Sequence, residues 1–176
     1  MQTMSLADHT EHSSLREKLI EHLFLGEVLR ELWRRGRRDV EVLQTQVDNN
    51  GYDLVIEAGG VMRHVQLKSS HRTAKTREVS VQTAPCRKPS GCVIWIWFDP
   101  DNLVFDRFLW KGAVPGQPLP DLGEKAVRHT RANSSGIKAE RPSLRRLTKA
   151  DFQQLENFGD LVDAMFGNKG KAAKLR

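Results

Sequence analysis

The stretch G51-Y-D-L-V-I-E-A-G-G-V-M-R-H-V-Q-L-K-S-S70 decides the fold. Two alternating runs flank Gly59-Gly60, a pair able to supply the turn of a tight two-residue hairpin. With those two glycines in the loop, Ala58 lies opposite Val61, Glu57 opposite Met62, Val55 opposite His64 and Asp53 opposite Gln66. Side chains alternate, so Asp53, Val55 and Glu57 share one face with His64, Gln66 and Lys68. The other face carries Leu54, Ile56, Ala58, Val65 and Leu67, with Arg63 near the tip, and must pack inward. Asp53 and Gln66 become cross-strand neighbours, about 5 Å apart at Cβ, with Lys68 on the diagonal. A solvated sheet face also carries polar residues at such positions. The distinguishing feature is a carboxylate, an amide and an ammonium gathered in one patch, and His64 and Glu57, nearer the tip, read as solvated.

Upstream, S14-L-R-E17 has the form of a capping box, and Leu15, Leu19 and Leu23 repeat at one-turn spacing. Apolar residues continue through Leu32 and Trp33, and Gly36 is a credible stop, so a helix is predicted over 14–35. Asp39–Leu43 alternates as a strand and leads into the polar loop 48–51. After the hairpin, residues 69–78 read as a polar, basic loop, and Val79–Gln82 suits either strand or helix. Cys92–Phe98 and Leu103–Trp110 read as strands around the turn D99-P-D-N102, with Trp95, Trp97, Phe105 and Trp110 in the core. Residues 112–147 read as an irregular basic excursion. Thr148 can cap a short helix, and Asp160–Phe166 suits a final one closed by Gly167. The expected class is α/β: a mixed sheet of about five strands with flanking helices. One domain is expected over 14–167, between a flexible 1–13 and a basic tail, 168–176.

The 176 residues include 39% hydrophobic and 28% charged side chains, ordinary for a globular protein. Lys and Arg exceed Asp and Glu by 28 to 22, a net charge of +6. The excess is segregated: residues 125–149 hold eight basic side chains and a single acid, Glu140. The two cysteines, Cys86 and Cys92, lack a second pair at zinc-ligand spacing and read as reduced thiols. The longest apolar run is too short to span a bilayer, and no secretory leader is evident, so a cytoplasmic location is expected.

Asp53, a turn, then Gln66-x-Lys68 resembles the signature of the PD-(D/E)XK nuclease superfamily, with its restriction-endonuclease-like core. The likeness extends upstream to Gly26-Glu27, Gly36 and D48-N-N-G-Y-D53, and covers about residues 14–110. The arrangement is similar to small bacterial endonucleases linked to homing endonucleases and junction resolvases. The resemblance implies a metal-dependent DNA endonuclease that uses an activated water. Asp53 would be the principal Mg²⁺ ligand, with Mn²⁺ as a substitute. Gln66 stands where the family usually has Glu, and the main-chain carbonyl of Leu67 and the Glu27 carboxylate would complete the metal site. Lys68 would hold the attacking water or the scissile phosphate. Phosphodiester hydrolysis needs such a set, because developing charge must be neutralised and water positioned.

DNA is the expected partner, reached through phosphate contacts from Arg72, Lys75, Arg77, Lys138, Arg141, Arg145 and Arg146. No membrane association is expected, and cutting both strands suits a homodimer. The neutral Gln66 leaves open a catalytically inactive module on the same fold, binding nucleic acid or another protein.

Overall fold

The computed structural model describes residues 11–44, 51–131, 136 and 138–168. The expected flexible N-terminus up to residue 10, loop residues 45–50 and tail residues 169–176 lie outside them. Helix α1 spans Ser13–Arg34. His12, not Ser14, occupies the N-cap and offers no side-chain bond, so the expected capping box does not form: Ser14 is already inside the helix. The C-terminus follows expectation. Gly36 takes φ +73°, its N–H bonds the Trp33 carbonyl and the Arg37 N–H bonds the Leu32 carbonyl, the paired closure of a Schellman motif.

Five strands follow, β1 (Val40–Gln44), β2 (Leu54–Ala58), β3 (Val61–His71), β4 (Glu78–Gln82) and β5 (Gly91–Phe98), of which β4 belongs to a second sheet. The chain continues through β6 (Phe105–Gly112), β7 (Ala126–Arg128), β8 (Glu140–Thr148) and β9 (Gln153–Leu155) to helix α2 (Phe158–Phe166). A six-stranded mixed sheet runs β1-β2-β3-β5-β6-β9, and a three-stranded sheet runs β4-β8-β7. Only the β3–β5 pair in the larger sheet is parallel. The class is mixed α/β, as expected, with a second sheet that the sequence reading lacked. The stretch 112–147 is therefore not wholly irregular, since it contains β7 and most of β8. The basic loop expected from residue 69 begins later, because β3 continues to His71.

The molecule has three layers. Ile20, Phe24, Val28 and Leu32 of α1 and Leu161, Val162, Met165 and Phe166 of α2 cover one face of the larger sheet. The second sheet covers the opposite face, where Val93, Trp95 and Trp97 meet Val81, Leu147 and Phe152. Every residue of β5 is consequently buried, which is why G91-C-V-I-W-I-W-F98 is a continuous apolar run. Trp95, Trp97 and Trp110 lie in the core as expected, with Phe105 packed against it.

The hairpin register matches the sequence prediction from Ala58–Val61 to Val55–His64. Gly59 and Gly60 adopt φ +62° and +75°, the positive pair of a type I′ turn. Gly51, just ahead of the hairpin, has φ +67°, and a Cβ there would stand 2.5 Å from the Gln82 Cβ. Gly51→Ala is expected to cost about 2 kcal/mol or more in urea unfolding, since both conformation and space oppose it. A loss under about 0.5 kcal/mol would contradict this reading of the contact.

Candidate functional site

A cleft of about 450 Å³ opens between the first turns of α1 and the C-terminal half of β3. Its walls include Glu17, Lys18 and Glu21 from the helix and Asp53, Leu67, Lys68 and Ser69 from the sheet side. Two of the four side chains expected to form a site, Asp53 and Lys68, therefore meet there.

Asp53 lies one residue ahead of β2. Leu54 is aligned with Val65, yet the Asp53 N–H also donates to the Val65 carbonyl, at 2.9 Å. The regular register thus ends at Leu54, and Asp53 is drawn toward Val65 rather than set squarely opposite Gln66. Its carboxylate reaches along β3 instead: Oδ2 accepts the Leu67 N–H at 2.7 Å. In a strand, the N–H and C=O of one residue project to the same edge. The Leu67 carbonyl accordingly points to the side where β2 has ended, next to Asp53. Tyr52 anchors the approach, its ring packed edge-on against His64 with centroids 4.9 Å apart. His64 is buried and its Nδ1 lies 2.9 Å from the Pro89 carbonyl, which corrects the solvated reading of that residue.

Gln66 does not share the cleft. It is only 4% exposed, and its Oε1 accepts the Gln82 N–H at 3.0 Å, so the amide joins β3 to β4. The physical reason is the second sheet, which folds over this face and demands partners for its backbone. Gln66→Leu is expected to destabilise the protein by about 1–3 kcal/mol, because it strands the Gln82 N–H. An unchanged denaturation midpoint would remove the strut from the account.

Glu27 is also elsewhere. It pairs with Arg30 and lines a separate depression with Glu31, Asn157 and Gly159, near the start of α2. The carboxylate that α1 brings to the cleft is Glu21, which the sequence reading missed. Glu21 is 8% exposed, accepts Gln44 Nε2 at 3.2 Å and pairs with Lys18 at 2.8 Å. The hydrogen bond to Glu21 raises the Lys18 pKa, with Glu21, Asp53 and Glu17 adding attraction against the cost of burial. The signal in the sequence was the second apolar stripe of α1, Ile20, Phe24, Val28 and Leu32, which carries Glu21 at its border.

Glu21, Asp53 and the Leu67 carbonyl are all oxygen donors, the set that suits a hard cation retaining several waters. Among the described residues no group of three or more His, Cys, Asp or Glu side chains is placed to hold a metal. Two carboxylates and a carbonyl are donors of the type that Mg²⁺ or Mn²⁺ takes, and neither Gln66 nor Glu27 is among the residues lining this cleft. The thiols are separate from this set: Cys92 is fully buried, and burial pushes its pKa to about 12.

No family model and no curated protein matches the chain. A solved bacterial homing endonuclease, I-Ssp6803I, is similar. The two share 21% identity over 69% of this chain and 85% of that one, with a TM-score of 0.29. At that score the likeness carries no argument, and the cleft must be judged by its own chemistry.

The basic residues fall into two groups. Arg72 directly follows β3 but pairs with Asp99 at 2.7 Å. Arg146 and Lys125 both bond Glu78, at 3.0 and 3.1 Å, and Arg145 bonds the carbonyls of Gly123 and Pro142. Lys75, Arg77, Lys138 and Arg141 are exposed. Among the described residues no helix is long and apolar enough to cross a membrane.

Proposed function

We propose that the chain is a metal-dependent DNA endonuclease that hydrolyses phosphodiester bonds in the cleft between α1 and β3. The observation that carries this is the meeting of Asp53, Glu21, Leu67 and Lys68 at one opening. A Mg²⁺ or Mn²⁺ ion bound to the three oxygen donors would supply charge neutralisation at the phosphate and acidify water. The protein's own part is positional. The Leu67 N–H fixes the Asp53 carboxylate, and the Gln44 amide fixes Glu21. Lys68 supplies a cation for the scissile phosphate or for the attacking water. The exposed cations at Lys75, Arg77, Lys138 and Arg141 would hold flanking phosphates, so binding should weaken steeply with salt. A homodimer is the assembly that would present two such clefts to a duplex.

The two helix carboxylates give the sharpest test. Glu21→Gln is expected to lower Mg²⁺-dependent cleavage of plasmid DNA by about a hundredfold or more, and Glu27→Gln to change it less than about twofold. Equal losses, or a loss only at Glu27, would overturn this assignment. The commitment of Gln66 to Gln82 favours a second reading, a nucleic-acid-binding module that does not cut. That reading wins if wild-type protein binds duplex, single-stranded and branched DNA in Mn²⁺ yet cleaves none of them.

A further inference from the structure

Helix α1 carries a further apolar stripe that faces away from the core, and of its members Trp33 is overlain by the Arg38 guanidinium, 3.6 Å from the ring centroid. Leu15, Leu19, Leu29 and Trp33 are exposed by 60%, 43%, 36% and 64%, and Leu23 beside them by 44%. With His22 and Gly26 they fill positions 15, 19, 22, 26, 29 and 33, an alternation of four and three residues that defines a straight helix–helix seam. At about 100° per residue, this seam lies opposite the core-facing residues Ile20, Phe24 and Val28.

The seam matches itself when reversed. A two-fold axis at the level of Phe24 sets Leu15 against Trp33 of a second copy, Leu19 against Leu29, and His22 against Gly26. A bulky ring thus meets the position with no side chain, and a Cβ built on Gly26 has no neighbour within 4 Å. The helix dipoles select the same direction, since an antiparallel pair opposes them whereas a parallel pair aligns them. The arginines of the outer face do not stand against this packing, because Arg30 and Arg34 are already paired with Glu27 and Glu31 of their own helix.

We infer that the outer face of α1 is a homodimer seam, in which two copies pack antiparallel about Phe24. One helix face against another buries on the order of 1,000 Å² in total, the lower limit of a specific interface, and a weak pair with a dissociation constant on the order of micromolar is expected. Glu21 faces the core side of α1, so the pairing leaves both clefts open. The inference does not depend on the nuclease reading and needs no activity measurement.

Sedimentation velocity of the full chain should give a dimer at about 50 µM and a monomer well below 1 µM. Leu19→Glu with Leu29→Glu should raise the dissociation constant at least about a hundredfold without lowering the melting temperature, because both side chains lie outside the core. Mixing that variant with Leu19→Lys, Leu29→Lys should restore a one-to-one heterodimer. In a Cys86→Ser background, Leu15→Cys mixed with Trp33→Cys should cross-link under mild oxidation, and Leu15→Cys alone should not. The proposal falls if the wild type remains monomeric at 200 µM, if the charged variants stay dimeric, or if Leu15→Cys cross-links to itself as readily as in the mixture. A monomer whose stripe is protected from hydrogen exchange by residues 1–10 would also overturn it.

Discussion

The Asp53→Asn variant is expected to lose metal-dependent DNA cleavage by about a thousandfold while keeping its fold and its affinity for DNA. The amide oxygen can still accept the Leu67 N–H that Asp53 Oδ2 accepts at 2.7 Å, so the backbone at the mouth of the hairpin keeps its partner. What disappears is the negative charge, which is what a divalent cation requires of its principal ligand. Binding of Mn²⁺, read by electron paramagnetic resonance, should weaken at least about tenfold in parallel. Two results would sink the assignment: full cleavage by Asp53→Asn, or lost cleavage with Mn²⁺ affinity unchanged. A variant that loses both DNA binding and its cooperative melt would place Asp53 in the architecture rather than in the chemistry.

How far the sequence reached depended on whether a residue's fate was set locally. The hairpin register was legible because two-residue alternation and a Gly-Gly turn fix it without help from distant elements. The same rule failed one residue beyond β2. Asp53 answers to the Val65 carbonyl and the Leu67 N–H once strand pairing ends. The position of the Gln66 side chain was not legible because its partner, Gln82, comes from a strand that belongs to another sheet, and local pattern does not announce that sheet. β8 hid for a related reason. E140-R-P-S-L-R-R-L-T148 buries only Leu144 and Leu147, and its long polar side chains mimic an irregular arm. That Glu21 rather than Glu27 lines the cleft was not legible because α1 has two apolar stripes, and the leucine repeat at 15, 19 and 23 turned out to be the exposed one. Periodicity can show that a helix has two sticky faces. Which one meets the sheet depends on what the sheet presents.

Arg63 is the residue on which the largest loss of stability is expected. Alternation put it on the inward face of β3, among aliphatic neighbours, where an unpaired guanidinium is costly. The structure has it fully buried, with Nε donating to the Met165 carbonyl at 2.5 Å and Nη2 to the carbonyls of Ala113 and Ala164 at 2.9 and 3.1 Å. Met165 and Ala164 belong to the last turn of α2, whose carbonyls have no partner inside the helix. One side chain therefore closes α2, ties it to the end of β6 and sits beneath Trp110, with its carbon 5.4 Å from the ring. Arg37 performs a similar duty one step on, bonding the Gly167 carbonyl at 2.7 Å. Burial lowers the Arg63 pKa, while the neighbouring Cys92 acts in the opposite direction. Arg63→Ala should cost about 3–5 kcal/mol in urea unfolding, since it opens a cavity and strands three carbonyls together. That is a large part of the stability of an ordinary domain. Arg63→Met restores most of the volume but none of the donors, so it should recover only part of the loss. Arg63→Lys should not rescue either, because a single ammonium cannot span carbonyls that the guanidinium fork reaches in two directions. If Arg63→Met proved as stable as the wild type, the carbonyls would have found other donors and the helix would not depend on this clamp.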